Sequence, residues 1–172
     1  MFLNPSLFIL PCSEIRNYGQ DNLTYGSLSE KGLKTLIASI KKYTIGSIYG
    51  FDLGCGDGEL IYNLQKEIGS WEGVEISDHR VSMKQRDVDI WQGDMLVENF
   101  RPYNVLHADN LCLDEITAEK LENKIALEFE GLYISYRYPE SMNFLKKAIF
   151  LESIPTETTW TIHPIHFFRV SQ

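Results

Sequence analysis

Apolar residues recur along the chain at two different spacings, and the alternation between them lays out the elements. Over residues 29–42, Leu33, Leu36, Ile37 and Ile40 share one face at helical spacing, with Ser29 placed to cap the start. Residues 47–53 form a short apolar run that ends in glycines, as a buried strand does. Helical spacing returns over 59–68 through Leu60, Ile61, Leu64 and Ile68, and residues 71–76 read as a second strand. A helix over 80–86, a third strand over 88–91 and a fourth over 104–108 follow. The periodic stretch 117–129 predicts a long helix closed by Gly131, and 132–138 is a β-rich fifth strand. A helix over 141–149 leads into two last strands, 151–160 and 163–170, joined by a turn near 161–164. Residues 1–23 are rich in turn formers and read as an irregular lead-in to a single domain over 24–172.

Strands alternating with helices predict an α/β fold: a doubly wound, seven-stranded, mostly parallel sheet covered on both faces. The last two strands, joined by a short turn, add an antiparallel C-terminal hairpin at one edge. Such a sheet takes its ligand at the carboxyl ends of its first strands.

Composition changes this picture little and charge changes it more. The 172 residues are 44% hydrophobic and 23% charged, an ordinary globular balance that excludes a disordered chain. Sixteen Lys and Arg stand against 24 Asp and Glu, for a net charge of −8. That sign argues against a DNA-wrapping surface and leaves a basic protein or a cationic small molecule as a partner. Three cysteines, Cys12, Cys55 and Cys112, are widely spaced and form neither a disulfide framework nor a zinc cage. No apolar run approaches the ~20 residues that span a bilayer, and the apolar start lacks the positive region of a signal peptide. The expected setting is intracellular, cytoplasmic or nuclear, with no membrane partner.

The candidate chemistry begins at Asp52-Leu53-Gly54-Cys55-Gly56-Asp57-Gly58-Glu59, where a strand hands over to a helix. Glycines there let a ligand approach the backbone. A dinucleotide fingerprint would rest a pyrophosphate on the helix start, but Asp52, Asp57 and Glu59 would repel one. They suit a cationic ligand, such as one carrying an ammonium and a sulfonium. Glu75 ends the second strand, 19 residues after Gly56, where an acid can take both ribose hydroxyls, and Ile76 follows it. Asp94 ends the third strand, placed to accept from an adenine amino group while Met95 packs near the ring. Three acids at the ends of three consecutive strands face one crevice.

This series resembles the class I S-adenosylmethionine-dependent methyltransferases, which have a Rossmann-like sheet. Further segments narrow the resemblance. Thr24-Tyr25-Gly26-Ser27-Leu28 precedes the first strand, His107-Ala108-Asp109-Asn110-Leu111 ends the fourth, and Thr159-Trp160 and His166-Phe167-Phe168-Arg169-Val170 close the chain. Together they look like the non-SET histone lysine methyltransferases of the disruptor-of-telomeric-silencing type. By that resemblance Tyr25 and Gly26 lid the methionine end of S-adenosyl-L-methionine, while Asp52, Gly54, Gly56, Glu59, Glu75, Ile76, Asp94, Met95 and Asp109 hold it. Asp109 and Asn110 stand in the catalytic loop, and Trp160 and Phe167 wall a channel for a lysine of a histone or other basic protein. The chain departs from the family at Ser27 (usually an acid), Asp109 (Asn), Leu111 (aromatic) and Phe167 (Tyr), and it lacks the basic segment that grips DNA.

The implied reaction is an in-line displacement: a neutral amine attacks a sulfonium methyl, and alignment does most of the work. An apolar channel would favour the neutral amine by desolvation. Other readings remain open. The acceptor is a small-molecule amine or a nucleobase, or the chain is a cofactor-binding module that has lost catalysis. His163 and His166 are three apart on a strand, so they point to opposite faces and make a poor metal pair. His107 reads as sheet-end packing, with a catalytic-base role as the alternative.

Overall fold

A computed structural model describes residues 4–172; of the expected lead-in, residues 1–3 lie outside the described residues. Among the described residues seven strands form one sheet: β1 (Tyr49–Leu53), β2 (Ser70–Glu75), β3 (Asp89–Gln92), β4 (Val105–Ala108), β5 (Gly131–Ser135), β6 (Ala148–Glu157) and β7 (Ile162–Val170). Their order is β3-β2-β1-β4-β5-β7-β6. The first five strands pair in parallel, and β7 runs antiparallel between β5 and β6. The helices are α1 (Cys12–Tyr18), α2 (Glu30–Tyr43), α3 (Glu59–Gln65), α4 (Asp78–Ser82), α5 (Glu115–Glu128) and α6 (Met142–Lys147). The α/β, doubly wound, mostly parallel sheet with its C-terminal hairpin is as the alternation predicts.

Each face of the sheet carries its own core. Leu36 and Ile40 of α2 and Ile61 and Leu64 of α3 pack on one face against Val105, Leu132, Ile134 and Phe167. On the other, Leu121 and Ile125 of α5 and Phe144 of α6 pack against Phe51, Leu106, Tyr133 and Phe168. Successive strand residues alternate between these cores, which is why Phe167 and Phe168 are both buried yet belong to different layers.

Several elements differ from the sequence expectation, each for a local reason. The lead-in is not irregular: it holds short 3-10 turns at Pro5–Phe8 and Asp21–Leu23 around α1. α1 has no buried residue, so it leaves no apolar stripe to read. α4 lies at 78–82 rather than 80–86, because the Ser77 hydroxyl accepts from the Arg80 N–H and starts the helix early. β5 stops at Ser135 rather than residue 138, since the Tyr136 and Arg137 N–H groups donate to Asn110 Oδ1. α5 closes on extended Phe129, and Gly131 opens β5 instead of ending the helix. The hairpin turn comes three residues early, where Thr158 Oγ1 accepts from the Thr161 N–H.

Candidate active site

The carboxyl ends of β1, β2, β3 and β4 open into a cleft of about 250 Å³, lined by Gly54, Glu75, Ile76, Asp94, Met95 and Asp109. Its outer wall is Asn17, Tyr18, Asp21, Asn22, Thr24 and Tyr25, contributed by the lead-in. Several contacts hold that wall in place, among them two hydrogen bonds between Asn22 and Asp114, at 2.7 and 3.0 Å, and those of Arg80. Arg80 on α4 is 3% exposed; its Nε donates to the Leu7 carbonyl at 3.1 Å and its Nη2 to the Leu23 carbonyl. The same guanidinium stands 3.8 Å from the Glu75 carboxylate and 5.1 Å from the Tyr25 ring. Sequence reasoning missed Arg80, because its partners are carbonyls more than fifty positions away and no local pattern marks them.

Glu75 is tied from three sides. Its Oε2 accepts from the Gly56 N–H at 2.9 Å, its Oε1 from the Ser77 N–H at 2.9 Å, and Arg80 lies beside it. Burial pushes its pKa up, while Arg80 and the two backbone donors pull it down. Carboxylate oxygens accept more than one hydrogen bond each, so Glu75 keeps lone pairs for a ligand. Asp94 Oδ1 accepts from the Leu96 N–H at 2.9 Å, which fixes the loop that presents Met95. Gly54 has φ +82°, and a Cβ built there meets nothing within 4 Å. The loop thus leaves open space on the cleft floor where any other residue would place a side chain.

A second opening of about 380 Å³ lies on the other side of Tyr25 and Asp109, walled by Phe8, Leu111, Thr159 and Trp160. Three segments meet at its base. A Cβ built on Gly26 would come 2.5 Å from the Trp160 ring and 2.9 Å from the Asp109 carboxylate. The Thr159 N–H donates to the Ser27 carbonyl, and Leu28 bridges Thr158, so the β6–β7 turn is stitched to the Tyr25 segment. Asp109 lines both openings. Burial, with Asp52 adding to it, pushes its pKa up to about 6 against the pull of His107 and His163.

Most of the expected site residues therefore converge: Tyr25, Gly26, Gly54, Glu75, Ile76, Asp94, Met95, Asp109 and Trp160 all line these openings. Asp52 is buried just beneath, with Oδ1 2.7 Å from His107 Nδ1. Four expectations need correction. Phe167 does not wall a channel: its β7 register sets it against Ile134, facing the α2 and α3 core, where its ring lies 5.9 Å from Tyr43. Glu59 does not face the cleft; it pairs with Arg86 at 3.2 Å at the start of α3. The Gly56 N–H is spent on Glu75, and the Tyr25 ring packs over that glycine. Asn110 borders the cleft, but its amide donates to Tyr133 and Ser135 and accepts from Ser135, Tyr136 and Arg137. It shapes the end of β5 and has no capacity left for an acceptor amine.

Solved structures share this fold. Magnesium protoporphyrin IX methyltransferase from Synechocystis PCC 6803, with bound SAM, is 15% identical, covering 81% of this chain and 78% of its own at a TM-score of 0.62. A TehB-like SAM-dependent methyltransferase from Corynebacterium glutamicum ATCC 13032 is 14% identical over 83% of this chain and 89% of its own, TM-score 0.61. A SAM-dependent methyltransferase from Clostridium acetobutylicum ATCC 824 is 11% identical over 83% and 92%, TM-score 0.63. The fold is that of the class I methyltransferases. No protein-family model and no curated protein matches the sequence. In the class I fold the cleft described above occupies the end of the sheet where the strand order reverses between β1 and β4, the expected place for a ligand.

Proposed function

We propose that the chain is an S-adenosylmethionine-dependent N-methyltransferase whose acceptor is a lysine side chain of a histone or other basic protein. The observation that carries this reading is the position of Asp109, a carboxylate shared by the acidic cleft and the Trp160 mouth. The donor set fits a cationic nucleoside. Asp94 and Met95 would hold its base and Glu75 its ribose. The open floor above Gly54 leaves room for it. When bound, S-adenosylmethionine would supply a sulfonium methyl for in-line attack by an amine lone pair, with S-adenosylhomocysteine as the leaving group.

The chain's own residues would align and screen. Arg80 keeps the lead-in over the cleft, so the donor is shielded from water. Trp160, Leu111 and Phe8 give the acceptor mouth an apolar wall that favours a neutral amine over an ammonium. The Asp109 carboxylate draws the cationic side chain in and orients its N–H. Holding donor and acceptor in line contributes several kcal/mol without any covalent nucleophile, of the order reached by well-oriented intramolecular reactions. The net charge of −8 suits a basic protein segment rather than DNA.

The test is transfer of labelled methyl from S-adenosylmethionine to core histones, to other lysine-rich proteins and to small amines and nucleobases, with mass spectrometry to place the label. Label on lysine is the expected result. Label confined to small amines or nucleobases moves the acceptor to those classes, and donor binding with no transfer to any acceptor returns the chain to a binding module.

A further inference from the structure

Beneath the two openings runs a buried polar chain that neither donor binding nor acceptor entry has so far employed. The β1–β4 register places Asp52 beside His107 on the same face of the sheet. Asp52 Oδ1 is 2.7 Å from His107 Nδ1, and His107 Nε2 is 3.0 Å from Tyr136 Oη, with all three residues at most 3% exposed. A carboxylate only accepts, so Nδ1 carries a proton, and in the neutral imidazole Nε2 is left as an acceptor. The Tyr136 hydroxyl then donates to Nε2, and its oxygen has only lone pairs to offer elsewhere. The same residues border a cavity of about 30 Å³ that also touches Gly54 of the donor cleft and Tyr25 and Asp109, which line both cleft and mouth. That volume admits one small polar group.

Resting on the amine-methyltransferase reading above, we propose that Tyr136 Oη receives the N–H of the attacking amine and that His107 and Asp52 carry its proton away. As the N–C bond forms and the S–C bond breaks, the nitrogen takes the positive charge and the thioether leaves. One of the nitrogen's N–H bonds then breaks as an Oη–H bond forms, the former Oη–H proton passes to Nε2, and the positive charge ends on His107. No oxidant or further reactant is needed. Tyr136 is then a catalytic residue, and His107 and Asp52 are positioning residues acting through it. The carboxylates facing the relay, Asp52 on β1 and Asp109 after β4, favour a positive charge on His107; Tyr25 of the lead-in and His163 on β7, whose ring stacks parallel to Tyr136 at 6.4 Å, face it as well. Burial, with Asp109 and Asp52 close by, holds the Tyr136 hydroxyl protonated, so it passes a proton through rather than standing as a phenolate.

The experiment compares the wild type with Tyr136→Phe and His107→Gln, using S-adenosylhomocysteine for calorimetry and core histones as acceptor. Both variants are expected to keep S-adenosylhomocysteine affinity within about threefold while kcat falls about 100-fold, the scale of a lost general base. The deficit should shrink as pH approaches 10, where hydroxide replaces the relay; a residue that only shapes the fold gives a pH-independent loss. Independently of activity, nitrogen-15 NMR of the free wild-type protein should show His107 as the Nδ1–H tautomer. Unchanged kcat in both variants, a more than tenfold loss of S-adenosylhomocysteine affinity, or the Nε2–H tautomer each overturns the relay and leaves amine methylation standing. If the wild type binds S-adenosylhomocysteine but methylates no histone lysine, the reading beneath the relay falls and the relay falls with it. Should Tyr136→Phe fail to fold, the tautomer and His107→Gln decide the matter.

Discussion

Arg80 and Glu75 form an ion pair of 3.8 Å in which both side chains are almost fully buried. The pair joins α4 to the end of β2, and through the Leu7 and Leu23 carbonyls it joins the lead-in to both. Removing one member of a buried pair strands the other, a loss of about 3–5 kcal/mol. Arg80→Met should therefore lower stability by that order in urea unfolding and speed hydrogen exchange across residues 5–24. A loss below 1 kcal/mol with exchange unchanged would show that the lead-in is held by other contacts.

The floor of the cleft gives a sharper substitution. Gly54 has φ +82°, where an L-residue costs about 1–2 kcal/mol, and its Cβ would stand in the space assigned to the donor. Gly54→Ala is expected to weaken S-adenosylhomocysteine binding at least tenfold in calorimetry while the protein stays folded. Glu59→Gln, which breaks only the exposed-side pair with Arg86, should leave that affinity unchanged and shift stability by no more than about 1 kcal/mol.

Phe167 and Trp160 separate core from channel. Phe167 is 1% exposed in the α2 and α3 layer, so Phe167→Ala should cost about 3–5 kcal/mol with little change in the KM for histone. Trp160 is 47% exposed at the mouth, and Trp160→Ala should do the reverse: near-native stability and a raised histone KM. Chemical denaturation and steady-state kinetics on the two variants check both halves.

The expected and observed sites differ in instructive places. The β1 strand and its glycine loop, and the acids ending β2 and β3, were legible because a buried parallel strand is a short apolar run and its carboxyl end is set by the turn that follows. Phe167 was misplaced because a family resemblance carries a residue type but not strand parity; the neighbouring Phe168 faces the opposite core. Asn110 looked free for chemistry, and only the tertiary fold shows five hydrogen bonds converging on it. Asp52 and His107 are 55 positions apart, and nothing local announces that β1 and β4 set them side by side. The lead-in helix carries no buried side chain, and pattern reading has no purchase on such a segment.

Asp109 yields a pH dependence of defined sign. Its folded pKa of about 6 lies above the ordinary 3.8, so the folded protein holds this proton more tightly than the unfolded chain. Stability from this group is therefore full below pH 3.8 and declines as pH rises to about 6. Asp109→Asn should stabilise the protein at pH 8 by up to about 3 kcal/mol and give no gain at pH 3.5. If Asp109 acts as proposed, its carboxylate is the form that draws in an ammonium, so wild-type kcat/KM should fall below pH 6 and the variant should lose that acid limb along with most of its activity. Denaturation midpoints and pH–rate profiles measured together check the sign.

The measurement closest to the central claim is titration calorimetry of the folded wild-type protein with S-adenosylmethionine and S-adenosylhomocysteine, repeated on Asp94→Ala. A saturable one-to-one heat with both nucleosides, weakened at least tenfold in the variant, is the predicted result. A well-folded wild type that gives no binding heat with either would contradict the assignment of the cleft.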